Sequence, residues 1–76
     1  QSDIYPALLT INSEQVYGSL PDFPKIKVSA ENVENCIQAL IHRLKDEISL
    51  AVYPPIPSDP AKVEKRAGQI VVMLEV

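Results

Sequence analysis

Residues 17–36, YGSLPDFPKIKVSAENVENC, decide the fold of this chain. The stretch opens on the end of a strand that residues 15–20 are expected to form. Prolines bound the corner 21–24, and each proline removes a backbone donor and restricts the residue before it. Apolar and polar side chains then alternate over residues 25–29, which is typical of a half-buried strand. The stretch therefore predicts two strands joined by a rigid corner, followed by a helix that begins near Asn32.

The helix after this corner is predicted to run from Asn32 to about Val52. Asn32 is the expected N-cap, with Ser29 as a rival one turn earlier. Apolar side chains recur along the segment at spacings of three and four, which gives the helix one apolar face. They are Val33, Ile37, Leu40, Leu44 and Ile48. The helix should stop before Tyr53, because that residue precedes a pair of prolines.

Two further strands complete the predicted sheet. Residues 5–11 form the first strand and a hairpin with residues 15–20, in which Gly18 indicates a bulge or a close backbone approach. Residues 69–76 form the last strand, whose apolar run does not alternate, so both of its faces are expected to be covered. The proline-rich segment 53–60 is expected to span the sheet and lead into a short helical turn. The alternative role for this segment is that of a ligand for an SH3-like groove. The prediction is an α+β fold with a three-stranded antiparallel meander, one helix on one face of the sheet, and a final strand.

Length, composition and charge narrow the classes of function. The 76 residues suffice for a single domain, 1–76. The net charge of −3 argues against a general affinity for nucleic acid and suits a basic protein partner. The chain has neither a run of about 18 apolar residues nor a signal sequence at its start. We therefore expect a cytoplasmic protein that binds neither membranes nor nucleic acid directly.

The residue types needed for catalysis do not converge in the predicted elements. Cys36 falls on the apolar face of the helix and His42 on roughly the opposite side, so the two do not form a catalytic pair. One histidine and one cysteine cannot build a zinc site. The first strand contains no carboxylate for a two-metal nuclease centre. We expect no enzymatic activity, no metal and no other cofactor.

The apolar last strand indicates an association surface. Because one helix covers only one face of the sheet, the other face would expose Leu8 together with part of the last strand. That part is either Val71 and Met73, or Ile70, Val72 and Leu74. Connecting loops that fold over this face are the alternative. We expect a homodimer or tetramer with these residues in its interface.

The order of these motifs resembles the N-terminal domain of HicB antitoxins, which belong to bacterial HicAB toxin–antitoxin pairs. The similarity runs from residues 5–7, Tyr-Pro-Ala, through the corner 21–24 and residues 55–58, Pro-Ile-Pro-Ser, to the end of the chain. Family members usually carry Gly-Cys after the corner, where this chain has Lys25 and Ile26. Many also add a DNA-binding domain, which we do not expect after residue 76.

The resemblance implies a partial RNase H-like β-β-β-α-β fold and an antitoxin role. Such a module binds a small basic RNase toxin of the HicA type and masks its catalytic histidine or its RNA surface. On this hypothesis the partner-binding residues lie in the hairpin and the corner, where carboxylates steer association and aromatic rings anchor it. They are Glu14, Tyr17, Asp22 and Phe23. The structural alternatives are a turn role for Asp22 and a core plug for Phe23, and the alternative function is a stand-alone oligomeric structural domain without a toxin.

Overall fold

A computed structural model describes residues 3–76 as a four-stranded antiparallel sheet with one long helix on one face. The elements in chain order are β1 (Ile4–Ile11), β2 (Val16–Leu20), β3 (Phe23–Ala30), α1 (Val33–Leu50), a 3₁₀ turn (Pro60–Lys62) and β4 (Gln69–Glu75). The strand order is β3-β2-β1-β4, so β3 and β4 form the two edges of the sheet. The predicted α+β class and the β-β-β-α-β order are both confirmed.

The corner between β2 and β3 is tighter than the sequence predicts. Leu20 pairs with Phe23 across a turn formed by Pro21 and Asp22, next to an irregularity in the register at the end of β2. The sequence pattern places Phe23 and Pro24 outside the strands, but in the structure they are the first residues of β3. A proline is tolerated at this position because β3 is an edge strand.

Helix α1 begins and packs as its sequence dictates. Asn32 is the N-cap, and its side-chain oxygen accepts the backbone N–H of Asn35 at 2.8 Å. The helix ends at Leu50, slightly earlier than expected, with Ala51 as its C-cap. Its buried face meets the sheet at Gly18, where an added Cβ would lie 2.7 Å from the Cδ1 atom of Leu40. The glycine therefore marks a close approach of helix and strand.

The hydrophobic core lies between α1 and one face of the sheet. Its fully buried side chains include Tyr5, Leu9, Leu20, Ile26, Cys36, Leu40 and Leu44. Among residues 3–76, no side chain of a charged or purely polar residue is buried. Tyr5 brings the one strong polar group of this set into the core, and its hydroxyl donates a 2.6 Å hydrogen bond to the carbonyl oxygen of Pro55. The core is thus apolar, and its one phenol is satisfied.

The segment from α1 to β4, residues 51–68, is called the connector below. It passes from the helix side of the sheet, where Tyr5 binds Pro55, around the corner, where Asp22 binds Ser58. It then runs beside the open face of the sheet and leaves a groove of about 570 Å³ there, whose walls include Leu8. The connector therefore spans the sheet and covers part of the face that α1 leaves open.

Candidate partner-binding surface

The four predicted partner-binding residues lie at opposite ends of β2. Glu14 belongs to the turn before β2 and Tyr17 to its first residues, whereas Asp22 and Phe23 follow its last residue. A strand of this length spans about 13 Å, at roughly 3.3 Å per residue. The structure does not bring the four side chains together in one patch.

Glu14 and Tyr17 are exposed at the hairpin end of β2. The Tyr17 ring is 46% exposed, and its neighbours across the adjacent strands are Thr10 and Ser29. Both positions are open to a partner, and their role in binding stays a prediction.

Phe23 and Asp22 have structural contacts at the other end of β2. Phe23 is 9% exposed and packs edge-on against Tyr5, with the ring centroids 5.2 Å apart. The carboxylate of Asp22 accepts the backbone N–H of Ser58 at 2.9 Å and also its hydroxyl. These contacts match the structural alternatives for the two residues. The corner therefore fastens the connector to the sheet.

The predicted association residues on β4 divide between the two faces of the sheet. Leu8 is opposite Val71 in the register, and side chains alternate along a strand, so Leu8, Val71 and Met73 share the open face. Of the two sets left open by the sequence, this is the one that accompanies Leu8. Ile70, Val72 and Leu74 point to the helix side, where Leu74 is only 3% exposed. Leu74 is therefore a core residue of the single chain.

The most exposed large apolar side chains lie elsewhere, where α1 ends and the connector begins. Leu50, Val52, Tyr53 and Ile56 are between 81% and 90% exposed. We call residues 50–56 the helix-end segment. Sequence reasoning did not select it, although a signal was present: the apolar run continues past the point where the prolines must end the helix. Leu50 is the last residue of α1, and the other three lie outside the helix and the strands.

The surroundings of the helix-end segment are partly acidic. Asp46 and Glu47 lie near the end of α1, and its last turn, residues 47–50, contains no basic residue. The helix dipole adds partial negative charge at this terminus. Glu47 also lies beside the corner, near Asp22, where Lys25 is the neighbouring basic side chain. An apolar segment bordered by carboxylates is complementary to a basic protein surface with an apolar patch.

The remaining reactive groups do not form a chemical site in the part of the chain described. Cys36 is fully buried, and burial raises the pKa of its thiol, which keeps it protonated and unreactive at neutral pH. Residues 3–76 contain no group of three side chains placed to hold a metal ion. Within the same residues, no helix has the length and apolar character needed to cross a membrane.

Neither a scan against models of protein families nor a search of curated proteins found a significant match to this chain.

Proposed function

We propose that this protein is an antitoxin-like binding module that neutralises a small basic RNase toxin of the HicA type in the bacterial cytoplasm by masking its surface. The element order β-β-β-α-β is the one that the resemblance to HicB antitoxins implies, and this supports the proposal. The net charge of −3 suits a basic partner.

The observation that carries the proposal is the exposure of the helix-end segment. Apolar side chains in water add nothing to the stability of the isolated domain, whereas their burial against a partner is favourable by about 25 cal/mol per Å². Tyr53 is the expected anchor, because aromatic residues dominate the binding energy of interfaces. Pro54 and Pro55 follow it and fix the backbone, which lowers the entropy lost on binding.

Inhibition would follow from competition with RNA. The helix-end segment packs against an apolar patch of the toxin, while Asp46 and Glu47 face basic side chains that otherwise contact RNA phosphates. Because this attraction acts between partly exposed charges, inhibition should weaken as the salt concentration rises.

The test is inhibition of an identified RNase, since capture of a protein from a lysate does not by itself support the proposal. Tagged protein is used to isolate small basic proteins from its native lysate at low salt. Each captured protein is purified, and its cleavage of a labelled RNA is measured while the untagged module is titrated in. We expect one of them to be an RNase that is inhibited at a stoichiometric ratio. If none of the captured proteins cleaves RNA, or if cleavage persists with excess module, the proposal is wrong.

Two exposed tyrosines, Tyr53 in the helix-end segment and Tyr17 in β2, locate the contact surface. Tyr53→Ala should weaken inhibition by about tenfold or more, the loss typical of an aromatic anchor. Tyr17→Ala makes the same truncation at the hairpin. Glu14→Lys tests the predicted electrostatic steering at the same place, where it should slow the association with the toxin in a salt-dependent way. A second matched pair is Ile56→Ser in the helix-end segment and Ile11→Thr, an exposed control on β1. Full inhibition by Tyr53→Ala and Ile56→Ser would exclude the helix-end segment as the contact surface.

A stand-alone oligomeric structural domain is the second candidate, and the exposed apolar edge of β4 favours it. If the tagged protein is recovered from the lysate without a partner, as a defined dimer or tetramer, this function replaces toxin neutralisation.

A further inference from the structure

The two edges of the sheet differ in how they resist pairing with another strand. The edge strand β3 carries Pro24, Lys25 and Lys27, all exposed. A missing backbone donor and charged side chains are the usual devices that prevent edge-to-edge association. The other edge strand, β4, has the sequence QIVVMLE and contains neither proline nor lysine. A long apolar edge of this kind is a template for a further strand.

The pairing of β4 with β1 identifies its free backbone groups. Asp3 and Val76 exchange both backbone hydrogen bonds, at 3.3 and 3.0 Å, and Ile11 donates to Gly68 at 2.8 Å. Hydrogen-bonded and non-bonded pairs alternate along an antiparallel ladder. Even-numbered residues of β4 therefore bond to β1, whereas Val71, Met73 and Glu75 direct their N–H and C=O groups outward. The N–H of Gln69 lies on the same side but donates to the carbonyl oxygen of Arg66 at 3.0 Å. The N–H groups of Val71 and Met73 are among those pointing away from the sheet.

The geometry points to a homodimer in which β4 pairs antiparallel with β4 of a second copy about a twofold axis at Val72, so that the two sheets become one. Val72 is the middle residue of Gln69–Glu75, so this register pairs the whole strand. Val71 of each copy exchanges hydrogen bonds with Met73 of the other. Glu75 lies opposite Gln69, so no like charges oppose each other. This dimer does not depend on toxin binding.

Apolar side chains line both faces of the β4 edge. Helix α1 packs mainly over β3 and β2, and it leaves Ile70 37% exposed and Val72 half-buried on the helix side. On the open face Met73 is 46% exposed and Val71 is half-buried. In the proposed register Val72 packs against its counterpart across the axis, and Val71 lies beside Met73 of the second copy. One strand thus supplies both halves of a self-complementary interface.

The molar mass in solution is the first test. Light scattering after size-exclusion chromatography should give twice 8.4 kDa at high protein concentration, with a decrease toward 8.4 kDa on dilution. Val71→Lys places on β4 the kind of residue that protects β3, and it should give a monomer with an unchanged circular dichroism spectrum. Ser29→Lys is the matched control, because it adds the same charge at an exposed position on the opposite edge. This variant should remain a dimer.

Cysteine cross-linking tests the register and does not require Val71→Lys to fold. Residues opposite each other in a non-hydrogen-bonded antiparallel pair have Cα atoms about 4.5 Å apart, within the range of a disulfide. In a Cys36→Ala background, Val72→Cys should therefore oxidise to a covalent dimer. Ile70→Cys is the control on the same face. Its two copies would lie about 13 Å apart along the strands and should not cross-link.

Amide hydrogen exchange distinguishes edge pairing from packing of the open faces. In a monomer the amides of Val71 and Met73 exchange rapidly, while Ile70 and Val72 are protected by β1. Protection of Val71 and Met73 should rise with protein concentration. The inference is overturned by a mass of 8.4 kDa at every concentration, by a dimer that Val71→Lys leaves intact, or by a dimer whose Val71 and Met73 amides stay unprotected. None of these outcomes bears on RNase inhibition, so the two proposals fail separately.

Discussion

Gly18 shows how one missing side chain sets the distance between the helix and the sheet. A Cβ at this position would lie 2.7 Å from Cδ1 of Leu40 and 2.8 Å from Sγ of Cys36, both in the buried face of α1. Because these side chains are enclosed by the core, they cannot turn away freely. We expect Gly18→Ala to lower the free energy of unfolding by about 1–3 kcal/mol, the usual range for overpacking. Equilibrium unfolding in urea measures it.

A double-mutant comparison identifies the cause of that loss. Cys36→Ala removes the sulfur atom that the new methyl group would meet, so Gly18→Ala should cost less in the Cys36→Ala background than in the natural chain. An equal cost in both backgrounds would mean that the clash with Cys36 does not contribute.

The three tyrosines show that the exposure and the hydrogen-bond partner of a side chain depend on tertiary structure. Side chains alternate along a strand, so the sequence of β1 places Tyr5 on the same face as Leu9. Nothing in the local sequence shows that its hydroxyl reaches Pro55, which is 50 positions away in the chain. Tyr17 and Tyr53 are both exposed, but at 46% and 90% they offer very different areas to a partner. The burial of Phe23 is likewise not visible in the local sequence, because the ring that packs against it is that of Tyr5 in β1.

At the scale of the element, helix α1 depends on a single side chain for its start. Asn32 accepts the backbone N–H of Asn35 and so satisfies one of the donors that a helix leaves free at its N-terminus. Asn32→Ala should lower the free energy of unfolding by about 1 kcal/mol. Asn35→Ala is the control, since it removes an exposed amide of the same type and keeps the backbone donor. If the two variants unfold at the same urea concentration, the cap does not contribute to stability.

The connector is a second element that depends on few contacts. Asp22 accepts two hydrogen bonds from Ser58, and Tyr5 donates one to Pro55. Each such bond contributes about 1 kcal/mol, so Asp22→Ala, which removes two of them, should raise the population of the open connector by about fivefold to thirtyfold. Tryptic cleavage at Lys62 and Lys65 should accelerate to the same extent when opening is fast relative to cleavage.

The control for the connector is Ser49→Ala, which removes a side-chain hydrogen bond to Asp46 within α1. This variant should be cleaved in the connector at the rate of the natural chain. Equal cleavage of Asp22→Ala and Ser49→Ala would show that Asp22 does not hold the connector.

Signals in the local sequence predicted where the helix and strands lie better than they predicted how exposed the side chains of these elements are. Asn32 and the prolines after Tyr53 bound the helix, and each of these signals acts on the backbone only a few residues from itself. The apolar run of β4 predicts that both faces of this strand are covered. In the structure β4 is an edge strand that remains partly exposed on both faces. Exposure depends on which strands flank an element, and the sequence of that element does not contain this information.

The two candidate surfaces occupy different parts of the whole molecule. The β4 edge runs along one side of the sheet, and the helix-end segment lies where α1 meets the connector. We expect a dimer joined through β4 to leave both helix-end segments free. We expect a complex of two modules and two toxins, whose mass falls to that of a one-to-one complex in the Val71→Lys variant. A complex with one toxin per dimer would mean that the two surfaces overlap.

The composition of the core also predicts how stability depends on pH. Burial raises the pKa of Tyr5 above its ordinary value of 10.0, and the carboxylates of Asp3 and Asp22 add to the effect. Burial raises the pKa of Cys36 above 9.0. Both groups hold their protons more tightly in the folded protein than in the unfolded chain. Their contribution to stability is therefore complete below the unfolded pKa values, and it is lost as the pH rises through the folded ones.

Urea unfolding measured from neutral pH to about pH 11, which spans the ordinary thiol and phenol pKa values, should show this decline. Cys36→Ala and Tyr5→Phe each remove one of the two buried titrating groups. Their free energies of unfolding should fall less steeply with pH than that of the natural chain, even though both variants start from a lower value. Tyr17→Phe is the matched control, because it removes a phenol that lies outside the core. Parallel curves for all four proteins would place the cause of alkaline unfolding outside the core.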